Sequence, residues 1–333
     1  MKENKDIDIL ALETSCDETS AAVTRNGLNI LSNIVASQID WHKKFGGVVP
    51  EIASRKHLEF INPVIEEALE KANLNIEELD AVAVTYGPGL VGALLVGLSA
   101  AKALSYSLNI PLIGVNHIAG HIYANFISHK EIELPVICLT VSGGHTDLLY
   151  FENLTGYEIL GRTRDDAAGE AFDKIARFLE LGYPGGPIIE EKAEKGDPRA
   201  IEFPESNFKE ETYDFSFSGL KTAVINYVHN QKQREHEINI PDIAASFQNT
   251  VINMLVKNVI KAVNNYEVKG VILSGGVAAN QTFRKRLKQR LKEYKLPLYY
   301  PDNKLCTDNA AMIGTVAYYQ YLKKDFAELT LNP

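Results

Sequence analysis

The sequence predicts a duplicated α/β fold, and three observations carry that prediction. Strand-to-polar-turn junctions recur at 13–19, 142–146 and 274–280. In two of them, at 13–19 and 142–146, a second strand-like run follows the turn at once, as in a hairpin whose loop faces a ligand. No GxGxxG follows the first strand, which argues against a dinucleotide-binding Rossmann domain.

Element by element, IDILALETSCDETSAAVTRNG (7–27) begins as a buried strand, turns at a polar loop and returns, with Asn26-Gly27 supplying a tight hairpin connection. LEFINPVIEEALEKANL (58–74) has helical periodicity and leads to the strand AVAVTYG (81–87). A helix of small residues follows Pro88, then the strand LIGV (112–115) and a helix carrying NHIAGHIYA (116–124). A second cycle opens with PVICLTVSGGHTDLLYFEN (135–153), read as strand, glycine turn, strand. GYPGGP (182–187) is too dense in glycine and proline to predict a regular element. NYVHNQKQREHEINIPD (226–242) reads as an exposed loop or a helix end, and VKGVILSGGVAANQTFRKRLKQRL (268–291) as strand, glycine turn and helix.

At 333 residues the chain is long enough for two domains with their own cores. Its net charge of -9 excludes a generally basic surface but leaves room for a local basic groove. Cys16, Cys138 and Cys306 form no CxxC, against a disulfide framework or zinc ribbon. Acids in MKENKDIDILALE argue against a secretion signal. GLVGALLVGLSAAKALSYSL (89–108), interrupted by Gly97 and Lys102, reads as a buried helix rather than a membrane span. The expected compartment is a reduced cytoplasm.

His117 and His121 lie four residues apart, on one helix face, close enough to share a metal ion. Zinc peptidases place a general-base Glu directly after the first His; here that residue is Ile118, so peptidase chemistry is not expected. Asp308, at the start of a helix-like run, can serve as third ligand or merely as a cap. Two His and one carboxylate would suit iron or zinc and leave positions open to substrate. Core or surface histidines are the alternative.

SGGHT (142–146) offers successive backbone N–H groups to a phosphate or carboxylate, with His145 able to bridge phosphate and metal. SGGVAAN (274–280) permits close approach of a nucleotide at a helix start, where Asn280 can hydrogen-bond base, ribose or phosphate. In RTRDDAAGEAFDKIAR (162–177), Asp166, Glu170 and Asp173 share a helical face, and Asp173 would suit a ribose. Glu13 or Asp17, in the first strand-turn, can orient metal-bound water or act as base; turn capping is the plainer role. FRKRLKQRLKEYK (283–295) has seven Lys or Arg and one Glu, suited to RNA backbone or to a solvated face. Trp41, His42 and Phe45 can stack on a splayed base.

Taken together, ETSCDETS (13–20), HKKFGGVVPEIASRKH (42–57), NHIAGH (116–121), SGGHTDL (142–148), DDAAGEAFDKIAR (165–177), GYPGGP (182–187), FSFSGLK (215–221), SGGVAAN (274–280) and CTDNAAMI (306–313) resemble the tRNA N6-adenosine threonylcarbamoyltransferases, formerly called O-sialoglycoprotein endopeptidases. The blocks span nearly the whole chain in matching order, and ETSCDET with GYPGGP resembles the bacterial branch.

The resemblance implies the two-lobed actin-like, sugar-kinase and heat-shock-ATPase fold, with duplicated ribonuclease-H-like domains around a nucleotide cleft. It implies one lobe over 1–125 completed by 305–333, and a second over 126–304. It implies transfer of threonylcarbamoyl from L-threonylcarbamoyladenylate to the exocyclic amine of the adenosine beside the anticodon, in tRNAs reading codons that start with A, with AMP released. The family's metal ligands, for Fe(2+) or Zn(2+), fall on His117, His121 and Asp308. Its adenylate-binding positions fall on Thr140, Val141, Ser142, Gly143, Gly144, Asp173, Gly186 and Asn280, with Glu190 where an Asp often contacts the ribose. Asp17 and His145 fall on positions linked to activity. Implied partners are tRNA, a catalytically silent paralogue and a small ATPase. A kinase or ATPase of the same fold using an adenine nucleotide, and a non-enzymatic RNA-binding module, are the alternatives.

Overall fold

The computed structural model describes residues 6–153, 156–206, 208 and 210–333. Packing divides the chain into two compact units, one running through Glu131 and resuming at Pro301, the other spanning Ile132–Tyr300.

The first unit opens with β1 (Asp8–Glu13), β2 (Glu18–Arg25) and β3 (Asn29–Ser37), an antiparallel meander. Asn26 and Gly27 turn β2 into β3 at φ of 52° and 76°, left-handed values that Asn and Gly tolerate. After α1 (Ile39–His42) and α2 (Pro50–Ala72) come β4 (Ala81–Gly87), α3 (Val91–Leu108), β5 (Leu112–Asn116) and α4 (His117–Ser128). The sheet order is β3-β2-β1-β4-β5, with β4 parallel to β1 and β5 parallel to β4. β1 is buried along its whole length, as a central strand covered on both faces must be.

The second unit repeats the plan. β6 (Val136–Val141), β7 (Thr146–Asn153) and β8 (Gly156–Arg162) form the meander, followed by α5 (Ala168–Phe178), α6 (Gly185–Ala193), α7 (Ser218–Gln233) and α8 (Ile240–Asn265). β9 (Gly270–Ser274), α9 (Gln281–Leu291) and β10 (Leu298–Tyr299) complete it, in the order β10-β9-β6-β7-β8. In each unit the first strand pairs antiparallel on one side and parallel on the other. α8 carries the core of this unit: Phe247 meets Phe172 of α5 edge to face at 5.2 Å. Burying one such ring contributes roughly 1.5–3 kcal/mol.

The chain then returns to the first unit through α10 (Asn303–Cys306) and α11 (Ala310–Leu322). Ala310 to Ala317 of α11 are all buried against that unit, and Ala310 N–H donates to Ser20 Oγ at 2.8 Å.

Of four local expectations, those for GYPGGP and for Asp166 need correction. GYPGGP does start a regular element: α6 begins at Gly185, and Pro187 in its first turn lacks an N–H that would have had no helical acceptor there. The 226–242 stretch divides into the end of α7, a short link and the start of α8. Asp166 lies before α5 rather than on its face, bound to Lys174 and Lys221 at 2.7 and 2.6 Å. α3 is long and apolar enough to cross a membrane by length and composition, but Ala93, Leu94, Leu98 and Ala101 are buried within the unit.

None of the three cysteines is in a disulfide. Burial pushes the Cys138 thiol up to about 12. Burial, with the carboxylates of Asp17, Asp308 and Glu18, also holds Cys16 well above the usual thiol range. Below those values both remain thiols, and only a thiolate attacks. At pH 8 the native protein is therefore expected to react with a disulfide reagent far more slowly than the same protein in denaturant, where all three titrate. Rapid native titration of Cys16 and Cys138 would contradict this.

Candidate metal centre and nucleotide loops

In the first unit, α4 places the histidine pair. Its cap is Asn116, whose side chain accepts from Ile118 and Ala119 N–H at 2.9 and 3.3 Å, so the helix begins at His117. Asp308 arrives from the far end of the sequence, just before α11. Its position next to a helix start does not make it the cap: Asn309 takes that role, accepting from Met312 N–H at 3.2 Å. Gly120 lets the helices meet, since a Cβ there would lie 2.8 Å from Ile313 Cδ1 and 3.1 Å from Met312 Cγ.

Asp308 Oδ1 lies 3.4 Å from His117 Nε2 and 3.1 Å from His121 Nε2. Tetrahedral coordination at the usual zinc–ligand lengths separates neighbouring ligand atoms by about 3.3 Å. The His121 contact lacks hydrogen-bond alignment, and both ring nitrogens of His121 are buried without a hydrogen-bond partner. Buried polar atoms rarely stay unsatisfied, so the donor set fits a cation.

Glu13 is fully buried behind His117 and accepts from Ser15 N–H at 2.5 Å and Thr85 Oγ1 at 2.6 Å. Its Oε2 also lies 2.9 Å from His117 Nδ1. A carboxylate with these partners accepts a hydrogen bond from Nδ1–H, which fixes the ring with Nε2 toward Asp308. This corrects the expectation that Glu13 works on water or nucleophile, because it has no exposed surface. Burial opposes charge on Glu13, but His117 outweighs it and holds the carboxyl below its ordinary range. Burial likewise opposes His117 protonation, and the Glu13 and Asp308 carboxylates reverse that, raising His117 well above an ordinary imidazole. Asp308 is lowered: the two histidines outweigh its burial.

Asp17, at the tip of the β1–β2 turn, is only 7% exposed. Burial, reinforced by Asp17 and Asp308, holds Glu18 well above the usual carboxylate range. His57 fastens the turn: its Nε2 donates to Cys16 O at 2.9 Å, and its Nδ1 meets Thr19 Oγ1 at 2.7 Å. His42 is fully buried against Gln38 and Val49, which removes it from any base-stacking role. Trp41 is partly exposed, packs edge-on against Phe60 and lies under Lys56 Nζ.

The second unit assembles the expected nucleotide-binding residues by a ring of contacts. The β6–β7 loop is closed between Ser142 and His145: Ser142 N–H donates to His145 O at 2.9 Å, and His145 N–H to Ser142 Oγ at 3.1 Å. A Cβ on Gly169, in the first turn of α5, would meet Ser142 O at 2.4 Å. Asp173 Oδ1 accepts from Gly185 N–H at 2.6 Å, tying α5 to α6. Glu190 of α6 accepts from Gln281 N–H at 2.7 Å, capping α9. Gly275, at φ of 84°, presses on Val141 O, where a Cβ would come within 2.4 Å.

By contrast, a Cβ on Gly143, Gly144, Gly186 or Gly276 would meet nothing within 4 Å. One set of glycines thus packs backbone to backbone, while the other leaves open space beside exposed peptide groups near helix starts, where anions are favoured. Thr140 and Val141 are fully buried, main chain included, with Thr140 Oγ1 2.9 Å from Ser274 Oγ; against the expectation of direct ligand contact, they lie under the loop and support it. Asn280 caps α9 through Oδ1, accepting from Phe283 N–H at 2.8 Å, while its Nδ2 donates to Gln248 Oε1 at 2.8 Å. Thr85 and Gln248 were not found from sequence: each acts on a residue many positions away, with no local motif.

Strand order defines an α/β protein of two actin-like units, with a candidate metal centre in the first. The solved structure of T. kodakarensis HypF superposes on 98% of this chain with a TM-score of 0.66 at 17% identity; this chain spans about half that protein, 49%. The chain belongs to the tRNA N6-adenosine threonylcarbamoyltransferase family, whose model matches residues 29–315. The protein of that name from Clostridium kluyveri is 56% identical over 330 residues, covering 99% of this chain and 97% of the relative. The one from Moorella thermoacetica is 57% identical over 324 residues, covering 97% and 95%. The family is one of transferases.

Proposed function

We propose that this chain transfers the threonylcarbamoyl group of L-threonylcarbamoyladenylate to N6 of the adenosine beside the anticodon, in tRNAs that read codons starting with A, and releases AMP. The observation that carries the reading is the His117–His121–Asp308 triad with Glu13 behind it, in a chain more than half identical to proteins of that name.

His117, His121 and Asp308 would hold one Fe(2+) or Zn(2+). That ion would supply Lewis acidity for polarising a carbonyl. Glu13 holds the Nδ1 proton of His117 and so fixes its ring. Ser142, Gly143, Gly144 and Gly186 would present backbone groups to the adenylate phosphate and stabilise charge growing there as AMP leaves. Asp173 and Glu190 would reach the ribose, and His145 the phosphate. Because Asp173, Glu190 and Asn280 already hold helix starts, ligand contact would use their remaining oxygens or N–H. The adenosine amine is a weak nucleophile, its lone pair delocalised into the ring, so positioning contributes much. Asp17 would accept its proton as the new C–N bond forms. A catalytically silent paralogue and a small ATPase would support multiple turnover in the cytoplasm.

The metal-replete protein, incubated with chemically made L-threonylcarbamoyladenylate, unmodified tRNA and both partners, is expected to yield threonylcarbamoyladenosine by nucleoside mass spectrometry. The product should disappear in His117→Ala. Absence of product from the unsubstituted protein, with donor shown intact, would overturn the reading.

A further inference from the structure

α9 is the most basic element in an acidic chain, and no step above uses it. Over 284–292 the helix and its C-cap, Lys292, carry Arg284, Lys285, Arg286, Lys288, Arg290 and Lys292 with no acid, against a net charge of -9 for the whole. Arg284 is a structural cation: it is buried, donates to Ala278 O and lies 4.1 Å over the Tyr300 ring. The others are different. Lys285, Lys288 and Lys292 are exposed, share one helix face at i, i+3 and i+7, and have no ion-pair partner among the described residues.

On the adjoining face, Arg286 and Arg290 line a groove of about 480 Å³ with Lys257 and Lys261 of α8. Arg286 is held there by Asn249 and Asn253, its Nη1 2.7 Å from each Oδ1. No carboxylate neutralises it among the described residues. A guanidinium fixed by neutral amides beside a groove keeps its full charge for an outside anion.

The placement of α9 gives the anion a source. Its cap is Asn280, and Glu190 holds its first amides, so the helix starts at the proposed adenylate loops. At a rise of 1.5 Å per residue, the exposed lysines extend from roughly 7 to 18 Å beyond Asn280. An RNA whose target base reaches the donor can run its neighbouring backbone within that range. We propose that α9, with the facing edge of α8, is the surface that holds the sugar-phosphate backbone of the RNA acceptor. This rests on the transferase reading and adds where the acceptor lies. Phosphates there would displace the weak pairing of Lys257 with Glu205 at 3.4 Å and Arg290 with Glu293 at 3.6 Å.

The test compares a triple variant, Lys285→Ala with Lys288→Ala and Lys292→Ala, with a charge-matched control, Lys130→Ala with Lys195→Ala and Lys323→Ala. Affinity for unmodified tRNA is measured as a function of salt on the metal-replete chain, and transfer is followed with donor and partners present. The α9 variant is expected to flatten the plot of log affinity against log salt by about two to three. It should raise KM for tRNA and leave donor affinity and the single-turnover rate at saturating tRNA unchanged. The control should match the unsubstituted protein.

An unchanged slope and KM, or an equal change in the control, overturns the surface while leaving the transferase reading intact. Retained tRNA affinity with lost partner binding assigns α9 to a protein contact and also overturns it. If the unsubstituted protein neither binds nor modifies tRNA, the transferase reading fails first and this surface fails with it.

Discussion

Asp308→Asn protein, purified with iron or zinc, is expected to leave gel filtration with essentially no bound metal and to show no threonylcarbamoyl transfer. Oδ1 of Asp308 lies close to both Nε2 atoms, at 3.4 and 3.1 Å. An amide in its place removes the negative charge that the cation needs in a buried site. The loss in affinity should exceed roughly a hundredfold, because even outer ligand partners contribute 10- to 100-fold. Glu13→Gln should give that smaller loss: the glutamine can still accept from Nδ1, but without charge it makes His117 a poorer donor. Competition with a chromophoric chelator measures both constants without relying on activity. Asp308→Asn binding zinc as tightly as the unsubstituted protein would dissolve the triad. Glu13→Gln doing so would reduce Glu13 to a packing group.

Asp17→Asn is expected to slow single-turnover transfer by roughly 10²- to 10⁴-fold, the usual contribution of a positioned general base. Asparagine keeps the size of the side chain and the turn contacts of its neighbours, including Gln38 N–H to Asp17 O at 3.0 Å. Metal content, donor affinity and tRNA affinity should therefore stay near those of the unsubstituted protein. A single-turnover rate equal to the parent would falsify the proton-acceptor role. A loss of metal alongside the loss of rate would instead give Asp17 an electrostatic role at the cation.

Much of this was legible in the sequence because the signals are local. The β2–β3 connection follows from Asn26-Gly27, whose left-handed backbone few other residues accept. The shared face of His117 and His121 follows from helical spacing, and the two glycine loops from their composition. Other readings failed where local pattern and tertiary demand part. GYPGGP looked irregular because glycine and proline disfavour helix interiors, yet at a helix start those penalties vanish. His42 looked available for stacking because neighbouring Lys and Trp suggested a surface, while its ring is enclosed by Gln38 and Val49.

The sequence by itself determined the alternation of strands and helices, its recurrence in a second cycle and the pairing of His117 with His121, since each is carried by patterns a few residues long. Only the tertiary structure decided how those ligands are used. Asp308 reaches the histidines because Gly120 allows α11 to approach α4, and Asn309 takes the capping work that would otherwise occupy it. Glu13 became a partner of His117 rather than of substrate because the sheet buries it completely beside Thr85. Contacts across 72 and 104 residues of chain leave no periodic trace. Their cost and direction are set by burial, which only the folded arrangement defines.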